Sequence, residues 1–211
     1  MLRAFPADGK GKTVLDVGCG NGYLGALLSQ RGYVVTGIER SGGWSAPFPD
    51  SVRLIEADLE QGLPSIGSKF DYVLCADILE HLRRPEAMLQ QLKAVTRPDG
   101  LIIASLPNSG NVYFRLNILA GRFPQHDKGL FDRTHVRFYT WTGWSNLFND
   151  AGWHIQSIES SGIPVGLAVP RQWEQAQPVR WAEHLCYVLA KIRKTLFAYQ
   201  FVVTAKVRTL S

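Results

Sequence analysis

Cysteine is scarce in this chain. Its 211 residues hold three, Cys19, Cys75 and Cys186, too few and too scattered for a disulfide framework or a zinc cluster. A reducing, cytoplasmic setting is the expectation. No uninterrupted apolar run approaches the ~18 residues of a membrane span. The first dozen residues carry Arg3 without a following apolar core, so a secretory signal is not expected. Internal repeats and low-complexity tracts are lacking as well. Charged residues make up only 19% against 45% hydrophobic ones, a globular balance that excludes a largely disordered chain. A mass of 23.5 kDa suits one domain spanning 1–211.

What charge there is lies unevenly. Residues 1–150 carry 16 Lys and Arg against 15 Asp and Glu, whereas residues 151–211 carry seven against three. The basic excess belongs to the C-terminal part. It fits an anionic substrate or weak contact with an anionic membrane. A nucleic-acid partner is disfavoured, because the basic residues lie along a helix that also carries an apolar face. Oligomeric state is not legible.

Two hydrophobic periods alternate along the first 160 residues. Thr13–Val17, Val34–Ile38, Val52–Ile55, Phe70–Cys75 and Leu101–Ser105 read as short buried strands. Leu24, Leu27 and Leu28, and then Met88, Leu89, Leu92 and Val95 after Pro85, mark helix faces. Strands linked through helices predict a mostly parallel sheet with helices on both faces. Ligands of such sheets bind beyond the carboxyl ends of the strands. The segment 108–140 breaks the rhythm and reads as a long aromatic loop, of a kind that usually carries function. Trp141–Gly152 reads as a helix, Trp153–Ser157 as a strand, Gly162–Pro170 as a linker, Trp181–Ala198 as a helix with Leu185, Val188, Leu189, Ile192 and Leu196 on one face, and Phe201–Val207 as the last strand. Residues 108–140 and 163–199 are the expected lid over an acceptor. Trp173, Trp181 and Tyr187 with Arg171 and Arg180 offer an aromatic, basic wall, or core packing with extended arginines.

The first strand runs into Asp16-Val17-Gly18-Cys19-Gly20-Asn21-Gly22-Tyr23-Leu24-Gly25. Glycines there let a ligand approach backbone N–H groups at a helix start. Two frames fit. Gly20-x-Gly22-x-x-Gly25 matches a dinucleotide fingerprint and a nicotinamide oxidoreductase. Gly18-x-Gly20-x-Gly22 behind Asp16 matches a different pattern. Glu39 ends the second strand, where an acid can hold ribose hydroxyls. Asp58 follows the third strand, where it can meet an adenine amine or simply cap a turn.

The run Val14–Gly22 resembles the nucleotide-binding motif of S-adenosylmethionine-dependent methyltransferases with the Rossmann-like seven-stranded fold. Glu39, Asp58-Leu59, Phe70–Cys75, Asp77-Ile78-Leu79-Glu80-His81 and Arg97–Gly100 fall at that family's next motifs. The resemblance covers about Lys12 to Ile158 and favours a small-molecule branch that includes ubiquinone O-methyltransferases. It implies a mostly parallel sheet with an antiparallel last strand. It also implies that Asp16 and the turn Gly18, Cys19, Gly20 and Gly22 meet the methionine part of the cofactor. Glu39 then holds the ribose, Asp58 and Leu59 frame the adenine, and Cys75, Ala76 and Asp77 line the floor. The segment Phe131–Tyr139 is similar to one of that branch, so His81 and His135 are the candidate bases. The Asn-Pro-Pro-aromatic motif of amide and exocyclic-amine methylation is replaced by Ala76-Asp77-Ile78-Leu79, so transfer to oxygen of a small molecule is the expectation. No closed metal-ligand set is legible around Asp77, Glu80 and His81. A cofactor-binding module without turnover is the remaining alternative.

Overall fold

In the computed structural model, which describes residues 1–44, 47–173 and 175–208, the apolar runs become seven strands of one sheet. They are β1 (Thr13–Val17), β2 (Val34–Glu39), β3 (Val52–Glu56), β4 (Phe70–Ala76), β5 (Thr96–Pro107), β6 (Trp153–Ser161) and β7 (Gln200–Val207). Their order is β3-β2-β1-β4-β5-β7-β6. β1 to β5 pair in parallel, and β7 is inserted antiparallel to both β5 and β6. The strand order reverses between β1 and β4, which opens a crevice at their carboxyl ends.

The two-residue side-chain period divides the core between the faces of the sheet. Val14, Val35, Tyr72, Leu74 and Ile103 point to one face and meet Leu28 of α1 (Tyr23–Ser29). Leu15, Val17, Val73, Cys75, Ile102 and Ala104 point to the other. There they meet Met88, Leu89 and Leu92 of α2 (Pro85–Val95) and Trp144 and Phe148 of α4 (Trp141–Asp150). Two fully buried indoles remain satisfied: Trp144 Nε1–H donates to the Pro107 carbonyl at 2.8 Å and Trp153 Nε1–H to Leu89 at 2.9 Å.

Four sequence expectations need correction. The strand expected at Leu101–Ser105 is longer, β5 starting at Thr96 and ending at Pro107, with Pro98–Gly100 inside it where the β4–β5 register shifts between Phe70 and Tyr72. Segment 108–140 is only partly loop, because Asn111 caps the Tyr113 N–H and starts α3 (Val112–Leu119). The 162–170 linker holds a 3-10 turn at Val165–Ala168. The late helix starts four residues earlier than expected, as α5 (Gln177–Ile192) with Pro178 in its first turn, and breaks at Arg193 before the short α6 (Lys194–Phe197). Of the two readings of the late aromatics, core packing fails, because Trp173 and Trp181 stand exposed at 57% and 74%, and neither of them lines the cavity beside Asp77. The side chain of Arg171 lies outside the described residues. Among the described residues, no helix is long and apolar enough to cross a membrane.

Candidate active site at the carboxyl ends of the central strands

β1 carries Asp16 to the crevice, where the chain turns through three glycines of positive φ: Gly18 at 72°, Gly20 at 52° and Gly22 at 69°. L-residues resist that region, so the turn needs glycine on backbone grounds alone. Space separates the three. A Cβ on Gly18 would lie 2.7 Å from Ile78 Cδ1, and one on Gly22 would lie 2.8 Å from Phe48 Cζ. A Cβ on Gly20 would meet nothing within 4 Å. The Gly20 backbone therefore borders open space from which a ligand can reach it. Its N–H donates to Glu39 Oε2 at 2.9 Å, and Glu39 Oε1 accepts from Arg40 N–H at 3.0 Å. Glu39 thus braces the turn from the end of β2. Gly25 sits inside α1 against Val52 and Val35, a packing role.

Asp16 is 1% exposed, and neither carboxylate oxygen has a hydrogen-bond partner. Burial, reinforced by Glu39, raises its pKa from 3.8 to about 7. A buried carboxylate with no donor is costly, and a cationic group placed beside it would relieve that cost. This orphaned acid beside an open glycine turn fits the ammonium end of S-adenosylmethionine. Cys19 shares the pocket, and burial followed by Asp16 and Glu39 pushes its thiol up to about 12. Cys75 is fully buried and also raised. Neither thiol is ionised at neutral pH.

Asp58 Oδ1 accepts from Glu60 N–H at 3.0 Å and caps the 3-10 turn Leu59–Gln61, with Leu59 buried beneath it. Ala76 closes β4 half-buried. Asp77 follows with φ +52°, a strained value for a residue with a Cβ. Three hydrogen bonds hold it there. Its N–H donates to Ser105 Oγ at 3.1 Å, and its Oδ1 accepts from Ser105 Oγ at 2.6 Å and from Gln200 Nε2 at 2.8 Å.

Beyond Asp77 lies a cavity of about 210 Å³, lined by Glu80, His81, Lys128, Asp132, His135 and Tyr199 among others. The loop that closes it is tied to the 3-10 turn Leu79–His81. The Glu80 carbonyl accepts from Val136 N–H at 3.0 Å and Arg137 N–H at 3.1 Å, and Arg137 donates to the Arg83 carbonyl. His81 Nδ1 stands 3.2 Å from the Thr134 carbonyl and 3.1 Å from Thr134 Oγ1. Thr134 Oγ1 gives its single proton to Asp132 Oδ1 at 2.6 Å. Both neighbours of His81 Nδ1 are then acceptors, so Nδ1 carries the proton and Nε2 keeps the lone pair. Burial pushes Asp132 up, but the two hydrogen bonds from Thr134 outweigh it and hold the acid low.

His135 packs edge-on against His81, ring centres 4.8 Å apart, with its Nε2 3.9 Å from Glu80 Oε1 and its Nδ1 buried without a partner. Burial, then His81, lowers its pKa, so it is neutral near pH 7. Burial, then Asp77, raises Glu80 to about 8, so this acid is protonated at neutral pH. Glu80, His81 and His135 offer one ligand atom each within 4.8 Å of one another, a three-residue cluster that could hold a metal ion and that the sequence reading, which expected no metal, did not find.

The two candidate histidines thus meet in one cavity with Asp77. Of the cofactor candidates, Asp16, Cys19 and Glu39 interact at the glycine turn, Asp58 and Leu59 sit at the 3-10 turn after β3, and Cys75 is fully buried. Sequence reading missed Ser105, Thr134, Tyr199 and Gln200. Ser105 and Gln200 lie two register positions apart near the β5–β7 ends, opposite Val202 and Pro107, and no local motif marks them.

A methyltransferase-domain family model matches residues 1–158. The ubiquinone biosynthesis O-methyltransferase of Actinobacillus pleuropneumoniae is 30% identical over 126 residues, covering 54% of this chain. The match spans 53%, about half, of that relative's length. The enzyme of the same name from Histophilus somni is 29% identical over 171 residues, 70% of each chain. The crystal structure of a SAM-dependent methyltransferase from Archaeoglobus fulgidus shares the fold at 19% identity, with TM-score 0.62 over 97% of this chain and 90% of that one. The family selects the Gly18-x-Gly20-x-Gly22 frame and sets the nicotinamide alternative aside. On the sheet order, the glycine turn and these matches together, the chain belongs to the class I S-adenosylmethionine-dependent methyltransferases.

Proposed function

We propose that this protein methylates a hydroxyl oxygen of a small, ring-sized molecule bound in the cavity beyond Asp77, with His81 as the general base. Bound S-adenosylmethionine supplies a methyl group already activated on a sulfonium, so the protein's task is alignment and proton removal. Asp16 receives the ammonium group of the cofactor, the Gly18–Gly22 turn including Cys19 approaches its methionine part, and Glu39 holds the ribose. Asp58 and Leu59 frame the adenine, while Cys75, Ala76 and Asp77 form the floor. His81 Nε2 accepts the acceptor's proton, its ring held by the Thr134–Asp132 relay. His135, neutral and adjacent, keeps that side of the cavity free of competing positive charge.

The observation that carries this reading is the pair of acceptors facing His81 Nδ1, which assigns a proton to that nitrogen and leaves Nε2 as the basic nitrogen of a cavity-lining ring. The O-methyltransferase names of the relatives support oxygen as the acceptor atom. The cavity volume supports a single ring. Residues 108–140 and 163–199 form the acceptor-side lid of a single domain, a reading supported by Lys128–His135, Tyr199 and Gln200 at the cavity wall. The three free cysteines support a reducing, cytoplasmic setting.

Transfer of a radiolabelled methyl group to phenol- and catechol-type acceptors tests the proposal. His81→Asn is expected to lower kcat by about 10²–10⁴-fold, the usual worth of a general base, with cofactor affinity unchanged. His135→Asn should cost less and shift the pH profile. Tight cofactor binding with no labelled product from any hydroxyl acceptor would favour the non-catalytic module instead.

A further inference from the structure

α5 is built the wrong way round for a helix of a globular protein. The face it turns to the body is mostly small: Ala190 is fully buried, with Val179, Ala182, Cys186 and Leu189 half-buried beside it. The face it turns to solvent is large and apolar. Trp181, Leu185, Val188 and Ile192 recur at helical spacing and are 74%, 58%, 36% and 74% exposed. The protein's accessible surface, 12028 Å², exceeds the roughly 9,800 Å² expected for its mass, consistent with such a projection. A solvated stripe of this kind marks a surface that is covered in use.

Charge says what covers it. Arg180, Lys191 and Arg193 are exposed on or just beyond α5. Its one acid, Glu183, is engaged by the Gly166 N–H at 2.8 Å. At the foot of the helix a groove of about 1020 Å³ is walled by Leu24, Ile158 and Val202, with three cations, Arg3, Lys191 and Lys194, against one acid, Glu159. An apolar stripe with a tryptophan, flanked by cations and beside a groove of net positive charge, matches the acyl–headgroup boundary of an anionic bilayer. A second copy of this helix would bring like charges together along the same flank. We infer that α5 lies flat in the interface of an anionic membrane. Through α6 and Tyr199–Gln200, the same segment leads directly into the cavity wall, so docking would set the acceptor site beside the lipid surface. The inference does not rest on the proposed function and holds whatever the acceptor proves to be.

Co-sedimentation of the full chain with phosphatidylcholine vesicles, with and without phosphatidylglycerol, at low and high salt, tests it. Binding is expected only to the anionic vesicles, and weaker at high salt. Leu185→Glu with Ile192→Glu should abolish it while leaving the melting temperature unchanged, since both side chains are solvated. Lys191→Gln with Arg193→Gln should weaken it about fivefold for each charge removed. Failure to bind anionic vesicles at low salt overturns the inference, as does binding that survives the glutamate substitutions. A dimer in sedimentation equilibrium that those substitutions dissociate, without vesicle binding, would assign the stripe to a second copy and equally overturn it.

Discussion

Replacing Asp16 by asparagine is expected to make the cofactor-free protein more stable at alkaline pH while destroying its affinity for cofactor. The folded pKa of about 7 stands above the ordinary 3.8, so between these values the native state binds more protons than the unfolded chain. Stability from this group is therefore complete below about pH 4 and is lost as pH rises to about 7. The gap of about three corresponds to about 4 kcal/mol at 1.36 kcal/mol for each pH unit, with little solvent screening because the carboxylate is buried. Asparagine removes that cost but leaves a buried amide without a partner, worth about 1–3 kcal/mol the other way. A net gain of about 1–3 kcal/mol at pH 8.5 follows. For a chain of this size that is a rise of roughly 5 °C in melting temperature. At pH 5 the wild-type acid is already largely neutral, and the two proteins should melt within about 1 kcal/mol of each other. Scanning calorimetry of both proteins from pH 5 to 8.5 reads the difference in slope. Glu80 titrates alike in both and cancels. Isothermal calorimetry should show the cofactor bound at least about 100-fold more weakly by the variant, the cost of leaving a charge unpaired. Equal pH slopes, or a variant less stable than wild type at pH 8.5, would refute the reasoning.

Two further outcomes follow from the geometry. Gly20→Ala meets no atom within 4 Å but is held at φ 52°, so it should fold with a loss of about 1 kcal/mol and yet bind cofactor poorly; in Gly18→Ala the clash with Ile78 adds a folding defect. Thermal melts and cofactor titrations on the pair separate these effects, and equal cofactor affinity for Gly20→Ala and wild type would refute the assignment. Asn108→Ala should destabilise the protein by about 2–4 kcal/mol, because the fully buried side chain donates to the Ala198 carbonyl at 2.8 Å and accepts from Gly110 N–H at 2.9 Å. Urea unfolding measures it, and a loss under 1 kcal/mol would show that the 108–111 turn does not depend on this side chain.

The parallel half of the fold was legible because each element there is specified locally. Thr13–Val17 is apolar throughout since both of its faces are buried, and Gly18 and Gly32 punctuate its surroundings by conformation. β6 and β7 were harder. β6 runs to Ser161, well past its apolar start, because Ser160 and Ser161 pair with Phe201 and Gln200, and pairing partners distant in sequence leave no local mark. α3 was hidden by its aromatic, polar composition; what starts it is the Asn111 cap, a signal that could have been read.

The site divides along the same line. Asp16, the glycine turn and Glu39 are read from one strand end and its successor, so spacing suffices to find them. The acceptor cavity is assembled from segments more than 100 residues apart, Asp77 meeting Gln200 across 123 positions. No motif announces a serine or glutamine whose role is to hold an aspartate at positive φ. His81 and His135 were visible as residue types, but the choice between them needed the hydroxyl of Thr134, whose one proton is committed to Asp132 and so fixes the tautomer of His81. For α5 periodicity was right and its sense was wrong. An apolar face at 3.6-residue spacing predicts burial only where the rest of the chain supplies something to bury it. Here Leu189 and Leu196 of the expected face are half-buried, while Leu185, Val188 and Ile192 are left on the outer face with Arg180, Lys191 and Arg193 exposed on or just beyond the helix. Part of the uneven charge is then a property of that outer face, whereas the proposed cofactor site is built around the buried acid Asp16.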